Sequence, residues 1–224
     1  MTPRPYLSWS SLNTLEKSEE KWKEQYLYGE KMRINRGMAF GKTMADGLEN
    51  DEATGDEILD MVITQIPKFE LMDKVLEDEN GVEVEYFDHS KKEFVKAKVP
   101  FIKDGKNKIP ILVKIDSMNK EMTGFKEYKT SQSRWTKKMV NDDNGKGGQI
   151  GFYAMAGYLK TGKIPYDIEL VEIETKSALD GKIEATGQIY RHHTVRTMGQ
   201  ILNMMVRAKK AWALINKICE EELL

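Results

Sequence analysis

Apolar positions along the chain change period near residue 82, and the two regimes predict different elements. Before it the spacing is helical. Ser8-Trp9-Ser10-Ser11 offers hydroxyl caps for a helix running to about Tyr28, with Leu12, Leu15, Trp22, Tyr26 and Leu27 as a buried stripe and Gly29 as a stop. A second helix is expected from Met38 to Glu49 and a polar loop from Asn50 to Gly55. Gly55-Asp56-Glu57 opens a third helix that ends near Pro67 or continues, kinked, towards Leu76. From Val82 the period is two, so successive side chains point to opposite faces. Val82 to Phe87, Phe94 to Ile102, Ile109 to Met118 and Gly124 to Thr130 read as four strands, with Pro100 marking an edge or strand end. Asp104-Gly105-Lys106-Asn107 and Asn119-Lys120-Glu121 are their turns. Asn141 to Gly148 reads as a flexible glycine-rich loop, followed by a helix from Gly148 to about Lys160. Ile168 to Thr175 and Ile183 to Tyr190 are two further strands. Thr197 to Leu224 is a long amphipathic helix with Ile201, Met204, Met205, Ala208, Trp212, Ile215 and Ile218 at helical spacing.

This order predicts an α/β (α+β) fold with a central mixed, mostly antiparallel sheet flanked by helices. One domain over residues 1–224 is expected: a helical part to residue 80, sheet and helix over 81–195, and a C-terminal helix over 196–224.

Composition narrows the function classes only a little. The chain has 224 residues, with 35 Lys and Arg against 36 Asp and Glu, so a partner cannot be chosen from net charge. Basic residues clustered locally can still bind nucleic acid. The single cysteine, Cys219, excludes an internal disulfide and a four-cysteine zinc or iron–sulfur site within one chain. No run approaches the roughly 20 apolar residues that span a bilayer, and the N-terminus has no apolar signal core. A soluble protein without a membrane partner, in a reducing compartment such as the cytoplasm, is expected.

The chemistry concentrates in two neighbouring runs. Asp116 ends Ile111-Leu112-Val113-Lys114-Ile115-Asp116, and Glu127 and Lys129 sit two apart in Gly124-Phe125-Lys126-Glu127-Tyr128-Lys129-Thr130. Glu127 and Lys129 therefore share a face. Pairing of the two runs as a hairpin would bring Asp116 beside them. Magnesium takes hard oxygen ligands, commonly one or two carboxylates with waters and substrate phosphate. Asp116, Glu127 and the main-chain carbonyl of Tyr128 are candidate ligands for Mg2+ or Mn2+, and Lys129 is suited to orient or deprotonate a water and offset phosphate charge. The same Glu-x-Lys pair also reads as a solvated ladder of opposite charges.

These residues, with three further elements in order, resemble the PD-(D/E)XK nuclease superfamily, in its RecB-like and phage exonuclease-like branch. Asp116 followed by Glu127-Tyr128-Lys129 is similar to the family's acidic residue and (D/E)-x-K element. Gln149-Ile150-Gly151-Phe152-Tyr153 matches its Gln-x-x-x-Tyr motif, whose two polar residues share one helix face. Leu7 to Leu12 resembles the opening motif, and Gly41 to Glu49 the first-helix motif. The resemblance covers roughly residues 7 to 160 and implies a restriction-endonuclease-like core. The activity implied is magnesium-dependent DNA hydrolysis by a phage-type exonuclease processing ends for recombination or repair. Its implied partners are DNA and a single-strand annealing or recombination protein, and its place the cytoplasm, that of the host cell if phage-encoded. Gln149 and Tyr153 would support the site and contact DNA.

Departures from the pattern shape the expectation. Ala45 stands where many members carry a metal-binding histidine, and Val113 where a glycine is usual. Glu49, one turn beyond Ala45, either replaces that ligand or lies on a solvated helix face. Ser18-Glu19 stands where iron–sulfur relatives carry a cysteine, so no cluster is expected. The rival function is a catalytically inactive DNA-binding or assembly protein that keeps the fold. Arg134, Lys137 and Lys138 around Trp135 either grip a phosphate backbone while the indole stacks on a base, or form a solvated basic segment with one anchoring aromatic. Gly145-Lys146-Gly147-Gly148 lacks the spacing of a nucleotide-triphosphate loop, and Asp142-Asp143-Asn144-Gly145 that of a calcium loop. His192 and His193 would face opposite sides of a strand, so a metal pair there is not expected.

Overall fold

The computed structural model describes residues 4–30, 33–50, 52–88 and 91–222. Its centre is a five-stranded mixed sheet in the order β1-β6-β7-β8-β9: Leu71–Val75, Lys114–Met118, Gly124–Ser131, Asp167–Ser177 and Ile183–Thr194. Only β7 and β8 run parallel, and the others pair antiparallel. A parallel neighbour needs a long crossover, supplied here by α5 (Lys137–Asn141) and α6 (Gly148–Thr161). The expected mixed, mostly antiparallel sheet flanked by helices is present.

The helices cover both faces. α1 (Trp9–Lys17), α6 and α7 (Met198–Glu222) enclose one core with Phe125, Ile168 and Leu170. α3 (Arg36–Asn50) and α4 (Glu57–Gln65) enclose a second core with Tyr128, Val171 and Ile173. Phe125 and Tyr128 fall on opposite sides of β7, as a period of two requires. α6 is buried along nearly its whole length because it lies between the sheet and α7, and its small residues allow that approach. A Cβ on Gly151 would sit 2.5 Å from the Asp143 carboxylate. Phe125 and Phe152 are fully buried, each stabilising the fold by about 2–3 kcal/mol.

Several expectations are corrected. The first helix is not continuous to Tyr28. It breaks at Ser18, which is extended (φ −165°), and its hydroxyl caps a new turn, α2 (Glu19–Trp22), by accepting from the Lys21 N–H. A π-helical turn over Lys23–Leu27 follows. This geometry stacks Trp22 and Tyr26 with centroids 5.9 Å apart, and the Trp22 indole N–H donates to Ser11 Oγ at 2.8 Å. The third helix stops at Gln65 with no kinked continuation, since Ile66 before Pro67 is extended. Leu71–Val75, read as helix tail, is strand β1.

The run from Ile109 to Met118 is two strands, β5 (Asn107–Pro110) and β6. Between them Ile111 bridges Leu7 in parallel, and the Leu112 N–H donates to Leu7 O at 3.0 Å. The run from Phe94 to Ile102 is likewise two strands, β3 (Glu93–Val99) and β4 (Phe101–Asp104), divided at Pro100. β2 (Val82–Asp88) pairs with β3, and β4 with β5, as separate two-stranded ribbons outside the main sheet. The loop over 141–148 is tied down rather than free. The buried Arg196 guanidinium pairs with Asp143 at 2.7 Å and donates to Val140 O at 2.8 Å, and Arg207 donates to Asp143 O at 2.6 Å. The last helix is α7, and residues 223 and 224 of the expected span, like residue 51 of the expected loop, lie outside the described residues. Among the described residues no helix is long and apolar enough to cross a membrane.

Candidate active site

β6 and β7 pair through only two residue pairs, Met118↔Phe125 and Ser117↔Lys126, and then diverge. The next step of that register sets Asp116 opposite Glu127, at the mouth of the fork. Asp116 spans the opening, its Oδ2 accepting the Tyr128 N–H at 2.8 Å. The expected meeting of Asp116, Glu127 and Lys129 therefore occurs, and the divergence of the strands frees the main chain of Tyr128 from a ladder partner on that side.

Glu127 is the most constrained of the three. Its side chain is 1% exposed, and Oε1 is bonded by the Lys129 ammonium. Oε2 is buried and receives no donor, while the Asp116 carboxyl lies within hydrogen-bonding reach of the Glu127 carboxyl. A buried, unsatisfied carboxylate oxygen costs free energy, so its presence in a well-packed core calls for an explanation. Burial, and then the Asp116 charge, raise the Glu127 carboxyl to about 8. Burial also raises Asp116, with Lys129 opposing. Burial disfavours the Lys129 ammonium, but Glu127 and Asp116 outweigh it and raise its pKa. Lys129 keeps 34% of its side chain exposed, so it joins the buried carboxylate to open space.

That space is a cavity of about 540 Å³ between α3 and the fork, bordered by Asp116, Tyr128 and Lys129. Gly41, Ala45 and Glu49, the first-helix positions, line it from α3. Glu49 is thus at the site, but its immediate acidic neighbour is Asp73, which with burial raises its pKa. Among the described residues, no group of three or more His, Cys, Asp or Glu side chains is arranged to hold one metal ion. A donor set here consists of Asp116, Glu127 and main-chain oxygen, and the orphaned Oε2 is an observation that fits a dication.

Asp73 was missed in the sequence. It lies between the pairs Met72↔Ser117 and Lys74↔Ile115, hence opposite Asp116, so that Asp73, Asp116 and Glu127 form a row across three strands. Its φ of +47° is sparsely populated for a residue with a Cβ, and its carboxylate forms an ion pair with Lys114. A single acid within Leu71-Met72-Asp73-Lys74-Val75 was the available signal; carrying the helical period past Pro67 concealed it.

On the other side of the fork, a groove of about 360 Å³ is lined by Trp9, Phe87, Lys114, Gln149 and Tyr153. Gln149 donates to the Tyr153 hydroxyl at 2.8 Å. Tyr153 stacks edge-on against Phe125, which shares the face of Glu127 and Lys129, and its hydroxyl pKa is raised by burial and then by Glu127 and Asp116. The Gln-x-x-x-Tyr pair is therefore at the site. The segment Arg134-Trp135-Thr136-Lys137-Lys138 lines neither the cavity nor the groove. Trp135 is half-buried against the core and its main-chain N–H donates to Glu172 at 3.0 Å. Arg134 lies over the Tyr190 ring at 4.1 Å, and Lys137 and Lys138 are exposed on α5. His192 and His193 contact different carboxylates, Glu172 at 3.0 Å and Glu169 at 3.1 Å, as residues on opposite strand faces do.

In three dimensions the chain is similar to a crystal structure of a protein from Eubacterium rectale described as a "putative exonuclease", with a TM-score of 0.55 and 10% sequence identity, over 97% of this chain and 82% of that one. At that identity the likeness concerns the fold alone. No protein-family model and no curated protein matches the chain.

Proposed function

We propose that a chain with this nuclease-like fold and this carboxylate fork is a magnesium- or manganese-dependent DNA nuclease. The observation that carries the reading is the fully buried Glu127 carboxyl, whose Oε2 receives no donor and which lies against the Asp116 carboxyl, in a site that also holds an ammonium. Asp116, Glu127 and the carbonyl of Tyr128 would hold the dication, with Glu49 a provisional further ligand reaching from α3. A bound magnesium lowers the pKa of a coordinated water and offsets charge on the phosphate. Lys129, tethered to Glu127 and open to the cavity, orients the attacking water and faces the phosphate. Gln149 and Tyr153 hold the helix face beside the fork and line the groove along which DNA would lie. Arg134, Lys137 and Lys138, exposed beyond β7, are phosphate contacts outside the fork in this reading. The role we favour, from the sequence motifs, is that of a phage-type exonuclease resecting DNA ends for recombination or repair beside a single-strand annealing or recombination protein.

A catalytically inactive DNA-binding protein is the alternative. Ala45 in the histidine position favours it, as does the absence of a third metal-directed side chain among the described residues. The two separate in one assay. Purified protein is incubated with linear and closed-circular DNA, with Mg2+ or Mn2+ and with chelator. Cleavage should require the metal, and Lys129→Ala should abolish it while the circular dichroism spectrum is unchanged. Cleavage by Lys129→Ala at the wild-type rate would refute the mechanism.

A further inference from the structure

Resting on the nuclease reading above, we propose that the cavity between α3 and the fork binds the terminal nucleoside of a DNA strand, so that the site removes nucleotides one at a time from an end. The cavity opens directly on Asp116 and Lys129, so whatever it holds is presented to the reacting phosphate. Its walls are largely apolar, with Met38 and Met44 from α3 and Met72 from β1. Thioethers are soft and adaptable, and they contact aromatic rings favourably, which suits the flat faces of bases without choosing one base. A volume of about 540 Å³ lies within the roughly 300–1,000 Å³ of small-molecule sites.

Charge limits the occupant to one nucleoside. Among the described residues four charged side chains border the cavity: the carboxylates of Glu49, Asp73 and Asp116, and the Lys129 ammonium. A strand continuing through would bring a further phosphate against Glu49 and the Asp73–Lys114 pair. The groove beyond Lys114 is less acidic, with Arg4 and Lys114 (the latter paired with Asp73) against one carboxylate, Asp88, among the rings of Trp9, Tyr86 and Phe87. Rings and cations of this kind hold a phosphate-linked strand by stacking and charge. The strand therefore lies in the groove, its last nucleoside in the cavity and the scissile phosphate at the fork. Water oxygen bonds to phosphorus, the P–O bond to the neighbouring sugar breaks, and the departing oxygen takes up a proton, releasing one nucleoside monophosphate per water consumed.

The space is not demanded by packing. A Cβ on Gly41 would meet only Thr130 Oγ1, at an ordinary 3.5 Å, and Ala45 is exposed in the cavity wall. Ala45→Trp fills the cavity from α3, one turn from Glu49. Binding of deoxythymidine 5′-monophosphate and of 2-deoxyribose 5-phosphate is measured by titration calorimetry with Mg2+, for wild type, Ala45→Trp and Met38→Asp. Met38 lies on the exposed rim, so its variant tests the same wall should the larger substitution impair folding. Wild type should bind the nucleotide at least tenfold more tightly than the sugar phosphate. Both variants should lose that preference while binding Mn2+ within twofold of wild type. On linear DNA the product should be mononucleotides, with KM raised at least tenfold in the variants, and closed-circular DNA should be untouched. Equal wild-type binding of the two ligands, a preference that survives both substitutions, or circular DNA cut as fast as linear overturns the proposal. Wild type that shows the preference but cleaves no DNA leaves the nucleoside cavity standing and defeats the hydrolytic reading instead.

Discussion

Glu127→Gln should stabilise the metal-free protein at alkaline pH while destroying the activity proposed for it. The Glu127 carboxyl is raised to about 8 in the fold, against an ordinary 4.5, by burial and the adjacent Asp116 charge. A carboxyl with a raised pKa favours folding in its neutral form. That contribution is complete below pH 4.5 and is lost as pH rises through 8. The gap, at roughly 1.4 kcal/mol per pH unit, bounds the loss at about 5 kcal/mol. Lys129 remains beside the substituted side chain, and the new amide carbonyl can still accept from it, so the variant keeps the ion pair's geometry while removing the buried charge. We expect about 2 kcal/mol of added stability at pH 9 and near-equality at pH 5, or a rise of about 4–8 °C in melting temperature at the higher pH. Urea denaturation of both proteins in chelator across this range measures it. Added Mg2+ should reverse the order, since an ion that binds only the native wild type raises its stability by RT ln(1 + [L]/Kd), and the neutral amide of the variant offers no charge to hold it. A Glu127→Gln protein less stable than wild type at every pH in chelator would refute the reasoning, because Glu127 and Lys129 would then be an ordinary stabilising ion pair.

Away from the carboxylates, Gly151→Ala should destabilise by about 1–3 kcal/mol in thermal melts, since its methyl would press on the Asp143 carboxylate that Arg196 holds in place. Arg196→Ala leaves the buried Asp143 carboxylate with the neutral Gln200 amide in place of its ion pair and should cost about 3–5 kcal/mol, read by denaturant titration. Hydrogen exchange over residues 141–148 should quicken in the same variant, as the loop is pinned from the segment leading into α7 and from α7 itself.

What was legible in the sequence follows from which interactions are local. Strand alternation, the hairpin turns and the helical stripes of α6 and α7 are set by neighbours a few residues apart, and they form where expected. β1 was hidden because a five-residue strand carries too short a pattern to outweigh the helical period preceding it. Its identity as a strand comes from pairing with β6, some forty residues later. The break at Ser18 was likewise hidden, because a serine between two helical stripes is unremarkable until Trp22 and Tyr26 must both reach the same core. The site shows the same division. Glu127 and Lys129 share a face by spacing alone, whereas Asp116 joins them only through the register of Ser117 with Lys126, and Asp73 only through the register of β1 with β6. Trp135 carried an attractive composition, aromatic among cations, yet its ring serves the core while the cations stay outside the fork. The alanine at position 45 has a physical sense in the proposed reading. A side chain there would project into the cavity that the Gly41–Ala45 face keeps open. In the reading proposed above, a small residue at position 45 leaves room for a base beside the ion that Asp116, Glu127 and the Tyr128 carbonyl would hold.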